Sequence, residues 1–335
     1  MQRGRRNSKC RNSGRHRGTP STGSSTTTWT TSRARSPGGL RGALYRIGPG
    51  RLDVDGHPLS HIFDGDGMVS GIDIGPEGVH YRNRYVRTKS FARTDETRRP
   101  AKGFSTQRIG GSLANALRFP ENLANTSVLL HDDVLYALWE GGRPHRLDAE
   151  TLQTYGPESF GGALKRLGAS SAHPKTHPAT GEVFNSGLDF FLRPMIRCYR
   201  LDRGRRLHGL ATVPIPKLGF VHDFALTERH LMFVLGPLVV RNPIPVALGL
   251  RPFDDALSYR PELGTTIVLV PRDGGRPTHR RTRRTRSRRW LGRVEQAPTQ
   301  LSRVRRAGLR GHPHPAVGRS ADPPRHHHRT RRSRM

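Results

Sequence analysis

The sequence predicts an all-β protein with a propeller-like architecture, and two observations support this. First, short apolar or alternating runs recur along the centre of the chain, bounded by Gly, Pro, Asp and Asn. Second, a repeat of about 50 residues contains several such runs, as in propellers. No helical period of useful length is found. The predicted strands are Ala43–Ile47, Val79–Val86, Ser127–Leu130, Val134–Trp139, Glu182–Asn185, Ile196–Leu201 and His230–Val234.

The repeat is marked by Asn125, His173 and His222, which lie 48 and 49 residues apart. Each is followed eight or nine positions later by an apolar strand. The first two units close with similar hairpins, RLDAETL at 146–152 and RLDRGRRL at 200–207. Coincidence among short strands is the alternative explanation of this pattern.

Equivalent positions of successive propeller blades converge on the central axis, so His173 and His222 are expected to lie close together. Two neutral imidazoles with a nearby carboxylate and no sulfur favour Fe(II) or Zn. The alternative is that each histidine is structural.

Other candidate motifs have simpler interpretations. His177 follows His173 by four residues, but Pro174 and Pro178 disfavour a shared helix face, so His177 is expected in a solvent-facing loop. DGDG at 64–67 lacks the further ligands of a calcium loop and is interpreted as a tight hairpin turn. RIGPG at 46–50 lacks a nucleotide-binding pattern.

The net charge of +32 is concentrated in the flanks. Residues 1–39 form a basic low-complexity arm, and residues 276–335 contain 19 Arg, no Lys and two acids. Both flanks are expected to be disordered or translated out of frame. The competing interpretation is an Arg-rich arm that binds nucleic acid through phosphate contacts. Residues 40–275 remain as the folded domain.

Cysteine content and apolar runs point to a cytoplasmic protein. Cys10 lies in the basic arm and Cys198 is the one other cysteine, so no disulfide scaffold is expected. No secretory signal is recognised. Leu231–Val240 is too short to span a bilayer; it and Pro243–Leu250 could form an apolar lip, or a buried strand and its loop.

Residues 40–275 resemble the carotenoid cleavage oxygenases, a family that includes lignostilbene dioxygenases and the retinoid isomerase of the visual cycle. The resemblance rests on motifs in collinear order. They are LRGALYRIGPG (40–50), HIFDGDGMV (61–69), RNRYVRT (82–88), NLANTSV (122–128), LYALWEGGRPHRLDAETLQTYG (135–156), AHPKTHPATGEVFNSG (172–187), VHDFALTERHLMF (221–233) and YRPELGTTIVLVPRDGG (259–275).

The resemblance implies a seven-bladed β-propeller with an axial Fe(II) held by four histidines. The enzyme would use O2 to cleave a conjugated C=C bond of a carotenoid or apocarotenoid into carbonyl products. By motif, His173 and His222 are two iron ligands, and Glu140 is a carboxylate that orients them from outside the ligand set. The apolar polyene would enter from a membrane surface, which implies peripheral membrane contact.

The pattern departs from the family after Gly275. The motifs of the third and fourth histidines are absent, and His279 has none of the expected neighbours. The sequence therefore predicts an incomplete propeller of about four blades, with weak or absent iron binding and impaired turnover. A lignostilbene-type stilbene dioxygenase and a non-enzymatic, nucleic-acid-binding basic protein are the alternatives.

Overall fold

The computed structural model describes residues 29–30, 39–76, 78–165, 168–189, 193–215, 219 and 221–282. Most of the predicted basic arm, most of the predicted tail and Cys10 lie outside these residues. Disorder of the flanks and the nucleic-acid alternative therefore remain predictions. Two short strands do fall inside the predicted flanks, one at Trp29–Thr30 and one at Thr278–Thr282.

The described residues are mostly β-structure with a few short helices. In chain order the strands are β1 (Trp29–Thr30), β2 (Gly42–Arg51), β3 (Asp53–Val54), β4 (His57–Pro58), β5 (Asp66–Gly75), β6 (Gly78–Tyr85), β7 (Ser127–His131), β8 (Val134–Leu138), β9 (His145–Leu147), β10 (Thr154–Pro157), β11 (Lys175–Thr176), β12 (Val183–Asp189), β13 (Met195–Leu201), β14 (Leu207–Pro214), β15 (Ala225–Leu226), β16 (His230–Leu235), β17 (Leu238–Val240), β18 (Leu257–Tyr259), β19 (Thr265–Pro271) and β20 (Thr278–Thr282). The α-helices are α1 (Lys89–Thr97), α2 (Gly111–Asn115) and α3 (Ile244–Ala247), and short 3-10 turns lie at Ile62–Asp64, Asp254–Ala256 and Pro261–Leu263.

Within the described residues the strands form four four-stranded antiparallel sheets, which we number in chain order. Their strand orders are β1-β6-β5-β2, β10-β9-β8-β7, β11-β12-β13-β14 and β15-β16-β19-β20. The second and third sheets are built entirely from consecutive hairpins. In the fourth sheet β16 pairs directly with β19, and the chain between these two strands forms the separate β17–β18 pair.

The repeat seen in the sequence corresponds to a structural repeat. β8, β12 and β16 are the second strands of their sheets, and they begin at or within one residue of the positions predicted. The two RLD motifs both form turns: Asp148 accepts backbone N–H groups of Glu150 and Thr151, and Asp202 accepts that of Arg206. Side-chain oxygens of Asp satisfy turn donors in this way.

Apolar side chains fill the spaces between neighbouring sheets. The largest cluster joins the third and fourth sheets and includes Phe184, Ile196, Leu231 and Phe233. A second cluster, which includes Val69 and Leu135, joins the first and second sheets. Neighbouring sheets therefore bury apolar side chains against one another in these two clusters.

Leu231–Val240 and Pro243–Leu250 have different environments. Leu231 and Phe233 are fully buried in β16, so this part is a core strand. Ile244, Leu248 and Leu250 are 51–63% exposed, so the second segment presents apolar side chains to solvent. In the part of the chain that the structure describes, no helix is long and apolar enough to cross a membrane.

Two expectations from the sequence are wrong. α1 spans nine residues, and its N-cap is Thr88, whose hydroxyl accepts the N–H of Phe91; the polar composition of this helix hides the helical period. DGDG at 64–67 is not a hairpin turn. Asp64 ends a 3-10 turn and Asp66 begins β5, because the buried Asp64 carboxylate accepts the backbone N–H groups of Phe104, Ser105 and Thr106.

Candidate metal centre

The site is built at the start of three sheets. In the second, third and fourth sheets the strand that comes first in the chain lies at one edge: β7, β11 and β15, the leading strands. Asn125, His173 and His222 precede these strands by two or three residues. The repeat thus places one polar side chain in an equivalent position on each sheet.

His173 and His222 come together as the spacing indicated. Their ring centroids are 4.3 Å apart in an edge-to-face arrangement. Glu140, which follows β8, lies between them: its Oε1 is 3.1 Å from His173 Nε2 and 3.3 Å from His222 Nδ1. Three sheets therefore contribute one residue each to a single cluster.

Hydrogen bonds hold the segment that carries His173. The Asn185 side-chain amide on β12 donates to Ser170 Oγ and to the Ser171 carbonyl. Ser171 Oγ accepts the N–H of His173 at 3.2 Å and donates to Glu140 Oε2 at 3.5 Å. The serine thus links the backbone of His173 to the carboxylate of Glu140.

A backbone hydrogen bond ties the turn that carries Glu140 to the same segment. Ser170 donates its N–H to the carbonyl of Gly142. Gly187 on β12 allows the close approach of this segment, because a Cβ there would lie 1.9 Å from the carbonyl oxygen of Ala169. Ser171, Asn185 and Gly187 leave no signal in the sequence, since single polar or small residues carry no distinctive spacing.

The electrostatics of the cluster favour positive charge. Contact with the Glu140 carboxylate raises the pKa of His173, and burial of the ring opposes that shift. Asp223 adds to the increase and Lys175 reduces it. The carboxylate therefore stabilises a cation at this position, whether that cation is a proton or a metal ion.

The donor set fits a first-row divalent metal. The candidate ligand atoms of Glu140, His173 and His222 all lie within 4.8 Å of one another. Glu140 Oε1 lies 3.1 Å from His173 Nε2, within reach of a hydrogen bond from the ring. Each imidazole then keeps its other ring nitrogen for an ion, and imidazole nitrogens suit iron. A carboxylate that accepts from a ligating ring fixes the orientation of that ring.

The other histidines considered in the sequence lie elsewhere. His177 is a half-buried loop residue whose Nδ1 accepts the backbone N–H of Thr180 at 3.2 Å. His279 is exposed on β20, opposite Val268. Asn125 donates its side-chain amide to the carbonyls of Phe63 and Gly65, so at this equivalent position the residue anchors the chain.

Sequence comparison identifies the relatives of the chain. It matches the family described as retinal pigment epithelial membrane protein over residues 25–291, a wider range than the 40–275 predicted. It is 36% identical to apocarotenoid-15,15'-oxygenase of Synechocystis over 71% of this chain and 51% of the relative. It is 32% identical to carotenoid cleavage oxygenase 1 of Neurospora crassa, over 61% and 38% of the two chains. The chain spans about half the length, or less, of these curated relatives.

Solved structures give the same assignment. The fold superimposes on a glutamate-to-glutamine mutant of the Synechocystis apocarotenoid oxygenase with a TM-score of 0.71 and 32% identity, covering 78% of this chain and 57% of that one. A cobalt-substituted form of the same enzyme gives 0.67 at 33% identity, covering 73% and 53%. Since the family match covers more than half of the sequence and the sheets follow the β-propeller fold of these enzymes, the chain belongs to the retinal pigment epithelial membrane protein family of carotenoid cleavage oxygenases.

Proposed function

We propose that the protein is an Fe(II)-dependent dioxygenase that cleaves a conjugated C=C bond of a carotenoid or apocarotenoid to two carbonyl products. Both oxygen atoms of O2 are then accounted for by the two carbonyl groups. The observation that carries this proposal is the meeting of His173 and His222 at one carboxylate oxygen of Glu140, in a chain of this family.

The substrate class follows from the relatives. The apocarotenoid oxygenase matches at 36% identity, whereas resveratrol cleavage oxygenase 1 of Aspergillus fumigatus matches at 30% and isoeugenol monooxygenase of Pseudomonas nitroreducens at 28%. An apocarotenoid is therefore favoured, and a stilbene is the second candidate.

The residues of the cluster have separate tasks. His173 and His222 would hold the iron through ring nitrogens, and Glu140 would fix the orientation of both rings by accepting from them. Ser171 holds the Glu140 carboxylate and the His173 backbone in register. The chemistry that ferrous iron supplies when bound is the activation of O2 beside the substrate.

We further propose that the 335-residue chain binds iron weakly and turns over slowly. Two histidines come together beside Glu140 among the described residues, whereas the family pattern implies four histidines. Four four-stranded sheets among the described residues, and a match that covers only about half of the length of the apocarotenoid oxygenase, support an incomplete propeller.

Peripheral membrane contact is supported by an apolar patch, which we define as Ile109, Leu113, Leu117, Ile244, Leu248 and Leu250. These side chains are 47–90% exposed. The two segments that carry them are joined by a hydrogen bond from the N–H of Leu117 to the carbonyl of Ala247. Exposed Arg118, Arg241 and Arg251 border the patch in sequence, as suits a surface that meets anionic lipid.

Titration of the metal-free 335-residue chain with Co²⁺, followed by visible absorption, tests the site. We expect weak binding of one ion, and His173→Ala or His222→Ala should lower the affinity at least about tenfold. His177→Ala serves as the control and should bind as the unmodified chain does. Absence of any Co²⁺ binding contradicts the site. So does a His173→Ala or His222→Ala variant that binds Co²⁺ as tightly as the unmodified chain.

Chromatographic analysis of products from an apocarotenal and from resveratrol, each incubated with the Fe(II)-loaded chain and O2, tests the substrate class. Slow cleavage of the apocarotenal alone is expected. Cleavage of resveratrol alone would support the stilbene alternative.

A further inference from the structure

An ion pair lies immediately beside the two histidines. Lys175 Nζ is 2.8 Å from Asp223 Oδ1 and 3.1 Å from Asp223 Oδ2. Lys175 follows His173 by two residues and begins the leading strand β11, while Asp223 follows His222 directly and precedes the leading strand β15. The pair therefore bridges the third and fourth sheets at the point where the histidines must meet.

Both partners contact Phe224, which directly precedes β15 of the fourth sheet. Asp223 Oδ1 accepts the backbone N–H of Phe224 at 2.7 Å. Lys175 Nζ lies 5.8 Å from the centroid of the Phe224 ring, within reach of a cation–π contact. Phe224 is buried and stacks on Phe233 in the core cluster. The core of the fourth sheet thus holds the ammonium group of Lys175, which belongs to the third sheet.

The histidines themselves are not linked so firmly. His173 and His222 share the single oxygen of Glu140, and the His222 side chain is 52% exposed. A divalent cation binds tightly when its ligands are held near their bound positions beforehand, and residues that support ligands typically affect affinity by about 10–100-fold.

We propose that Lys175 and Asp223 are positioning residues, whose ion pair holds the His173 and His222 segments at the separation that one divalent cation requires. The inference rests on the proposed metal site and names two residues outside its donor set. It also assigns a role to a lysine that would otherwise be unfavourable, because a positive charge next to a cation site weakens binding.

The effect on Co²⁺ affinity of removing each charge of the pair distinguishes a positioning role from a purely electrostatic one. If Lys175 acted through its charge alone, Lys175→Met would strengthen Co²⁺ binding, and Asp223→Asn would weaken it. If the pair positions the histidines, both substitutions weaken binding, by about tenfold. The reversed pair Lys175→Asp with Asp223→Lys then recovers most of the lost affinity, since it restores the bridge with the charges exchanged.

The experiment is a Co²⁺ titration of the full chain, its two single variants and the reversed pair, each with a thermal unfolding curve. Because exposed ion pairs contribute little to stability, Tm should change little while affinity falls. Glu182→Gln is the matched control: it breaks the Glu182–Arg200 pair, which lies in the third sheet away from the histidines, and it should leave affinity unchanged.

Each outcome decides the inference. A Lys175→Met variant that binds Co²⁺ as well as or better than the unmodified chain overturns it, as does a reversed pair that binds no better than the single variants. If the unmodified chain itself binds no Co²⁺, the proposed function fails instead, which distinguishes the two.

Discussion

Glu140 meets both candidate ligands through one oxygen atom, and this makes it the most sensitive residue of the site. Its Oε1 lies between His173 Nε2 and His222 Nδ1. Its Oε2 accepts from Ser171. Loss of the charge removes the acceptor that orients both rings and a negative charge beside a cation.

Glu140→Gln should therefore lower Co²⁺ affinity by about 10–100-fold. The titration described above measures this. Glu150→Gln, an exposed glutamate in the β9–β10 turn of the same sheet, is the control. Equal losses in the two variants would show that Glu140 has no special role.

His145 predicts a pH dependence of stability. Burial, with a smaller contribution from Arg143, lowers the pKa of His145 to about 4, while the unfolded chain takes up its proton near pH 6.5. The unfolded state thus binds more protons between pH 6.5 and 4, and the stabilising contribution of neutral His145 is lost as pH falls through this range.

Urea unfolding at pH 7 and pH 5 should accordingly show a loss of about 2 kcal/mol that depends on His145. His145→Gln is expected to lower stability at pH 7 but to remove this part of the pH dependence. A variant with the same loss between pH 7 and 5 as the unmodified chain would contradict the assignment.

At the scale of single residues, the spacing of the repeat was enough to predict that His173 and His222 lie close together, and the family motif singled out Glu140; their role as a metal site stays a prediction. The residues that position them could not be identified. Ser171, Lys175, Asn185 and Asp223 are common polar types. The contacts of Ser171 with Glu140 and of Lys175 with Asp223 arise between different sheets, and Asn185 contacts a segment 15 residues away. Such contacts leave no periodic signal in one sequence.

Among the secondary-structure elements, the 3-10 turn at Ile62–Asp64 is coupled to a loop about 40 residues away. The Asp64 carboxylate accepts three backbone N–H groups, at 2.5 Å from Phe104, 3.1 Å from Ser105 and 2.7 Å from Thr106. Gly103 is needed here, since a Cβ would lie 2.2 Å from Asp64 Oδ1. One buried side chain therefore determines the path of a long connection.

Asp64→Ala should lower the free energy of unfolding by about 3 kcal/mol, because it leaves three buried or half-buried backbone donors without an acceptor. Asp53→Ala removes an aspartate that accepts one backbone N–H, from Gly56, in an exposed turn, and should cost less than about 1 kcal/mol. Urea unfolding measures both, and similar losses would contradict the account.

Strand hairpins were the most predictable elements, and the reason is local. Asp132 and Asp133 turn the chain between β7 and β8 with φ of 50° and 62°, a left-handed pair that Asp tolerates and that two-residue hairpins require. α1 and the DGDG turn were predicted wrongly because the first is polar and the second depends on a remote loop.

For the whole molecule, the apolar patch predicts lipid binding. Leu113 and Leu117 are 90% and 83% exposed, which is a large unfavourable area for leucine in water. Leu113→Glu with Leu117→Glu should strongly reduce co-sedimentation with vesicles of phosphatidylcholine and phosphatidylserine.

Leu130→Glu, at a half-exposed leucine on β7, is the control and should bind vesicles as the unmodified chain does. If the patch variant and the unmodified chain sediment equally, the patch does not contact lipid. Circular dichroism of each variant verifies that the fold is retained.

The equivalence of Asn125, His173 and His222 has a consequence for how such a protein can change. The second, third and fourth sheets each have one polar residue just ahead of the leading strand. At Asn125 this residue anchors the chain to Phe63 and Gly65, whereas at His173 and His222 it supplies the candidate metal ligands. We therefore expect that a substitution at one of these positions can change the chemistry of the site while the sheets persist.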